Sequence, residues 1–192
     1  MDNRGMRMTV RAIVVAVLLT LAAAAPNAAQ KPAPSREPDV VFVPTPSDVV
    51  DAMLKLAKVT SSDIVYDLGS GDGRILIAAA KMYGARGVGI DIDPERVREA
   101  TANASSNNVA DKVTFRQEDL FTADISPATV VMLYLSPTVN SRLAPRLMKE
   151  LKPGTRIVSH AFDLGSWKPQ QQITVSNRPI FFWTVAPPSG RR

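Results

Sequence analysis

Cysteine is absent from all 192 residues, which excludes disulfides, thiolate zinc sites and a lipoprotein anchor and leaves the redox compartment unmarked. Histidine is almost absent: His160 stands alone, and a lone histidine at a strand end is ordinarily a hydrogen-bonded structural group. The apolar run Ala12 to Ala25 falls short of the roughly 20 residues that a stable spanning helix needs. A concentrated basic stripe is lacking too. Of the net charge of +5, two units sit on residues 1–29, which hold three arginines and one aspartate, and three remain on the rest of the chain. There the cations are scattered among acids, which carries no strong nucleic-acid signal. No internal repeat is present.

What is there begins with a leader. Arg4, Arg7 and Arg11 precede the apolar run, and small residues follow through Ala29, so residues 1–30 read as a signal peptide or N-terminal membrane-targeting segment. The expected location is exported or membrane-associated, with a tether through residues 12–25 as one form of it. An organellar presequence or a misread start, leaving the domain organellar or cytoplasmic, is the alternative. Residues 31–39, proline-rich and polar, read as a linker. The domain is expected over 40–187, followed by a tail, 188–192.

Within the domain, strand and helix alternate. Ser47 is expected to cap a helix carrying Val49, Val50, Met53, Leu54 and Ala57 at helical spacing. Strand Ile64 to Leu68 leads to helix Arg74 to Tyr83, stopped by Gly84. Strand Gly87 to Ile92 leads to a helix opened by Asp93 and Pro94. Val113 to Gln117 and Thr129 to Leu135 are further strands. A helix from Val139 to Leu151, interrupted at Pro145, precedes strand Thr155 to His160. Ile173 to Ser176 and Pro179 to Val185 close the chain as an antiparallel hairpin. Apolar strands between amphipathic helices imply one α/β domain, a Rossmann-like doubly wound, mainly parallel sheet covered on both faces.

The most informative stretch is VYDLGSGDGRILIAAA, Val65 to Ala80, a short strand running through alternate glycines into an apolar helix. Such a loop lets backbone approach a ligand. A dinucleotide fingerprint, G-x-G-x-x-G, would need glycine where Arg74 stands. Asp67 precedes the loop, where a carboxylate suits a cationic ligand better than a pyrophosphate, and S-adenosylmethionine, with its sulfonium and ammonium groups, meets that demand. Ligands of such sheets bind at the carboxyl ends of strands. Asp91, ending the second strand, is placed to accept ribose hydroxyls, while Asp93 before Pro94 reads as the cap of the next helix. Asp119, with the adjacent amide of Leu120, is placed to read an adenine edge.

Through VYDLGSGDGRI, GVGIDIDPERV, VTFRQEDLF and VVMLYLSP, the chain resembles the class I S-adenosylmethionine-dependent methyltransferases over nearly all of residues 40 to 185. DLGSGDGRI together with FVPTP and WKP resembles more narrowly the small lysine methyltransferases, including those acting on the ATP synthase c-subunit and the adenine nucleotide translocase. The resemblance implies the class I methyltransferase fold, S-adenosylmethionine held by Asp67, Gly69, Ser70, Gly71, Asp91, Asp119 and Leu120, and Thr45 over its methionine end. It implies no metal. The implied partner is a protein with a target lysine, a membrane protein among the candidates. The fourth strand ends in YLSPTVN without the D/N-P-P-Y signature of enzymes methylating nucleobases or glutamine.

A lysine nucleophile must first lose a proton, since its reference pKa is about 10.4. Tyr134 and His160 are the catalytic candidates, with Ser136 beside Tyr134. Asp163 and Trp167 are candidates for the pocket wall, whereas Phe181, Phe182 and Trp183 read as packing. The function expected is N-methylation of a protein lysine by in-line displacement. A small-molecule or RNA methyltransferase, or a non-catalytic module that binds S-adenosylmethionine, is the alternative.

Overall fold

The computed structural model describes residues 37–187; the leader, residues 31–36 of the linker and the tail lie outside these. The described elements run α1 (Ser47–Leu56), β1 (Ile64–Leu68), α2 (Arg74–Tyr83), β2 (Arg86–Asp91), α3 (Pro94–Ser106), β3 (Val113–Gln117), β4 (Val130–Leu133), α4 (Pro137–Glu150), β5 (Arg156–His160), β6 (Gln171–Val175) and β7 (Arg178–Thr184). They build a seven-stranded sheet in the order β3-β2-β1-β4-β5-β7-β6. The first five strands pair in parallel, and β7 runs antiparallel between β5 and β6.

The central strands IVYDL, VVML and RIVSH are apolar on both faces because both faces are covered. Val65, Val130, Met132 and Val158 pack with α1 and α2 through Val50, Met53, Leu54 and Leu76. Their alternates Tyr66, Leu68, Val131, Leu133 and Ile157 pack with α4 through Leu143 and Leu147, and with Trp183. The period-two strand and 3.6-period helix patterns therefore close two cores on one sheet, each large buried side chain contributing about 1.5 to 3 kcal/mol.

Several expected boundaries shift. Ser47 does not cap α1: it is the first helical residue, and Val50 N–H bonds the Pro46 carbonyl at 2.9 Å instead. Pro145 does not interrupt α4, which runs unbroken from Pro137 to Glu150. A mid-helix proline costs about 3 kcal/mol, and burial of Val139, Leu143, Ala144 and Leu147 offsets that. Ser136 caps this helix, accepting from Val139 N–H at 3.3 Å. Asp93 caps α3 as expected, accepting from Glu95 N–H at 2.8 Å. The closing hairpin turns on Ser176 and Asn177, at φ 48° and 61°, the left-handed pair that a tight two-residue hairpin turn requires.

Candidate functional site

The carboxyl ends of β1, β2 and β4 open on one pocket, at the point where the chain order of the sheet reverses direction between β1 and β4. β1 delivers Asp67 and the glycine loop. Gly69 and Ser70 N–H both bond the Ile90 carbonyl, at 2.8 and 3.0 Å, tying the loop to β2. Gly73 N–H bonds back to the Ser70 carbonyl at 2.9 Å. Gly73 itself caps α2 at φ 81°, and a Cβ there would stand 2.5 Å from the Phe115 ring. A side chain on Gly69 would stand 2.8 Å from Leu135. The loop is thus backbone presented to the pocket, with glycine required where the chain turns left-handed against a neighbour.

Asp91 Oδ2 accepts from Gly71 N–H at 2.8 Å and Oδ1 from Asp93 N–H at 3.0 Å. Each oxygen keeps further acceptor capacity on a carboxylate that lines the pocket. Burial raises the Asp91 pKa above the ordinary carboxylate range, against the lowering effect of those two amides. Asp67 is 2% exposed and its carboxylate makes no hydrogen bond or ion pair with a described residue. Burial, and then the charges of Asp91 and Asp72, push its pKa well up. Ser70 Oγ is likewise buried without a partner. The unmatched carboxylate of Asp67 on the pocket wall is the group a ligand would satisfy, whereas Ser70 Oγ is closed off against Gly89.

Asp72 differs from its neighbours. Burial alone would raise it, but the Arg74 guanidinium, clasping it through Nε and Nη2, holds its pKa below the usual value. Arg74 Nη1 donates to the Thr45 carbonyl at 3.0 Å, fixing the segment before α1. Pro38 to Thr45 form the outer wall of the pocket, so the last residues of the expected linker turn back onto the site. The segment is pinned by Asp39 to Arg142 at 3.6 Å and by the Phe42 ring under Arg96 at 5.0 Å. A Cβ on Gly71 would strike that same ring. Val41 and Val43 point outward, 88% and 56% exposed.

Of the residues singled out from sequence, Thr45, Asp67, Gly69, Ser70, Asp91, Leu120 and Tyr134 share this pocket. Gly71 lies under Phe42 and contributes its N–H to Asp91. Asp119 does not line the wall. Its Oδ1 accepts from Phe121 N–H at 2.9 Å, and Glu118 faces the pocket in its place. His160 is behind the wall, buried against Thr45 and Tyr134, so a direct contact between its ring and an acceptor is not offered. Asp163 and Trp167 are not wall residues either: Asp163 accepts from Gly165 N–H, and the Trp167 carbonyl accepts from Trp183. The wall residues missed from sequence include Glu118, Arg96, Asp72, Leu135, Val139 and the 38–43 segment. Among the described residues no group of three or more His, Cys, Asp or Glu side chains is placed to hold a metal, and no helix is long and apolar enough to cross a membrane.

The model of the ANTKMT methyltransferase domain matches residues 67–171, from Asp67 at the pocket to the start of β6. The chain belongs to this family. A protein-lysine N-methyltransferase of Saccharolobus islandicus is 50% identical over 153 residues, covering 77% of this chain and 95% of that protein. An adenine nucleotide translocase lysine N-methyltransferase of Mus musculus is 32% identical over 68% of this chain, which spans 56% of it. Among solved structures, an RNA methyltransferase from Salinibacter ruber in complex with S-adenosyl-L-homocysteine superposes with a TM-score of 0.75 at 54% identity, covering 78% of this chain and 98% of that one. The 38–45 wall of the pocket lies N-terminal to the segment that the family model matches.

Proposed function

We propose that this methyltransferase-family chain transfers a methyl group from S-adenosylmethionine to the amine of a protein lysine. The observation that carries this is the charge of the pocket wall: Asp39, Asp67, Asp72, Asp91, Asp93 and Glu118 against Arg74 and Arg96. Arg74 is engaged by Asp72 and the Thr45 carbonyl, and Arg96 by Glu99 and Phe42. An acid-rich mouth draws an ammonium and repels a phosphate backbone. The protein-lysine relative at 50% identity supports the same reading.

S-adenosylmethionine, when bound, would supply a methyl group on a positively charged sulfur. Asp67 would face its ammonium group, Asp91 its ribose hydroxyls, and the Gly69–Ser70 loop and Leu120 its nucleoside; Asp119 would act through the turn that presents Leu120. Thr45 and Tyr134 would border the reacting end. The lysine is drawn to the mouth as an ammonium and gives its proton to solvent before the amine enters, a loss that the apolar wall at Leu135 and Val139 favours by disfavouring the charged form. The chain's own contribution is then to align the amine with the methyl so that N–C bond formation and S–C cleavage are in line.

The finer parts of the proposal concern place and partner. The arginines before the run 12–25, and the outward Val41 and Val43 beside the pocket mouth, support a membrane-associated domain acting on a membrane protein. Fractionation of the full chain, with and without residues 1–30, tests the first.

RNA is the second reading, favoured by the name of the Salinibacter ruber relative. One experiment separates the two: methyl-labelled donor is incubated with the full chain and either the protein or the RNA fraction of a lysate, and the labelled product is hydrolysed. Methyl-lysine from the protein fraction is the expected result. Label only in nucleoside would overturn the lysine reading.

A further inference from the structure

His160, the chain's only histidine, ends β5 and is 1% exposed. Two wall groups of the pocket rest on it. Its Nδ1 lies 3.4 Å from Thr45 Oγ1, and its ring centroid is 3.9 Å from that of Tyr134 at a tilt of 36°. Its Nε2 is buried with no hydrogen-bond partner among the described residues. Burial, with the Arg178 guanidinium on β7 adding to it, depresses its pKa to about 4, so near neutral pH the ring carries one N–H and one lone pair.

Which nitrogen holds the hydrogen follows from what each can reach. On Nε2 it would be a buried donor with no acceptor, and orphaned N–H groups are rarer and costlier than under-used lone pairs. On Nδ1 it has an acceptor, Thr45 Oγ1. That choice fixes the role of the hydroxyl. With its oxygen accepting, Thr45 keeps its own proton to give, and the residue is 4% exposed on the pocket wall with its carbonyl already held by Arg74.

We propose that His160 is a positioning residue: its Nδ1–H donates to Thr45 Oγ1 and so turns the Thr45 hydroxyl into a hydrogen-bond donor for a carboxylate of the bound ligand. The pocket already has an unmatched carboxylate, Asp67, for a cationic group. A ligand ending in an amino acid needs a donor as well as an acceptor, and the nearby Arg74 is committed to Asp72 and to the Thr45 carbonyl. Thr45 on His160 fills that need, while the same ring buttresses Tyr134. The inference rests on reading the pocket as a methyl-donor site.

The single histidine makes the test direct. Full-length chain labelled with 15N-histidine, carrying no affinity tag, gives one imidazole in a two-bond 1H–15N spectrum. A neutral Nδ1–H tautomer across pH 5.5 to 8, with and without S-adenosylhomocysteine, is expected; an Nε2–H tautomer, or titration near pH 6.5, would overturn the inference. Calorimetry with S-adenosylhomocysteine completes it. His160→Leu and Thr45→Val are each expected to weaken binding about tenfold and the double variant no further, since one releases the hydroxyl from its donating orientation and the other removes it, whereas His160→Asn, which keeps an N–H near the Nδ1 position, should restore most of the affinity. Wild-type binding with fully additive losses would refute the linkage alone. No binding by the wild type would remove the donor-site reading and this inference with it. If His160→Leu fails to fold, the tautomer of the wild-type ring still decides.

Discussion

Replacing Asp67 by asparagine should make the free protein more stable and the liganded protein weaker. The carboxylate is 2% exposed, has no hydrogen-bond or ion-pair partner among the described residues, and lies within the fields of Asp91 and Asp72. Because its folded pKa is raised above the ordinary value of 3.8, the folded protein resists ionising a group that the unfolded chain ionises freely. Stability is therefore fully present below about pH 3.8 and is lost as pH rises towards and through the folded pKa. Asparagine keeps the shape and never ionises. A buried unsatisfied polar group costs about 1 to 3 kcal/mol, and a charged one more, so Asp67→Asn should regain about 2 kcal/mol at pH 8. For a domain of this size that is roughly 4 to 8 °C in Tm. Thermal unfolding of both proteins at pH 4 and pH 8 reads it: the gap should be wide at pH 8 and narrow at pH 4. Binding should move the other way. Loss of a charge-assisted contact to an ammonium, about 1.5 to 3 kcal/mol, weakens S-adenosylhomocysteine by roughly 10- to 150-fold. A cation beside Asp67 also expels any proton it holds, so the wild-type binding enthalpy should vary with the ionisation enthalpy of the buffer. A variant that is less stable at pH 8 and binds as well as wild type would refute the placement of Asp67 as an uncompensated acid waiting for a cation.

Three further expectations follow from the same geometry. Asp91→Ala should fold and weaken donor binding by about 1 to 3 kcal/mol, the range for lost hydrogen bonds to a charged group; unchanged calorimetric affinity would remove Asp91 from the site. Gly73→Ala places a side chain at φ 81° against Phe115 and Ala100, and the left-handed conformation alone costs about 1 to 2 kcal/mol, so denaturant unfolding should show at least that loss; a smaller one would mean the loop relaxes freely. Tyr134→Phe should lower turnover more than donor affinity if the hydroxyl takes part in the reaction, and equal rates would reduce the ring to packing against His160.

The parts of this molecule legible in sequence are those whose physics is local. The strand–glycine–helix transition from Ile64 to Tyr83 follows from an apolar strand, left-handed glycines and a Gly84 stop, and Asp93 as the cap before Pro94 needs only its two neighbours. Pro145 was misleading because a local cost was outweighed by burial of α4 on the sheet, a quantity no window of sequence contains. Asp119 and Glu118 show the same limit at the site. Both are acids after β3, and the one that faces the pocket is settled by a turn in which Asp119 accepts from the Phe121 amide.

The 38–45 segment is the deeper case. Its composition, prolines and exposed valines, is that of a linker, and its value to the pocket comes wholly from long-range latches: Asp39 to Arg142 on α4, Phe42 under Arg96 on α3, and the Thr45 carbonyl on Arg74 of α2. Three arginines on three helices converge on eight residues of loop, and none of those pairings has a sequence spacing that could announce it. With these latches in place the segment walls one side of the acid-rich pocket. Its cationic neighbours are each engaged in holding the wall, which leaves the carboxylates of Asp67 and Asp91 as the groups presented to whatever enters. A site that commits its arginines to architecture and keeps its acids for the ligand is suited to a sulfonium donor and to an acceptor that arrives as an ammonium, and poorly suited to a phosphate.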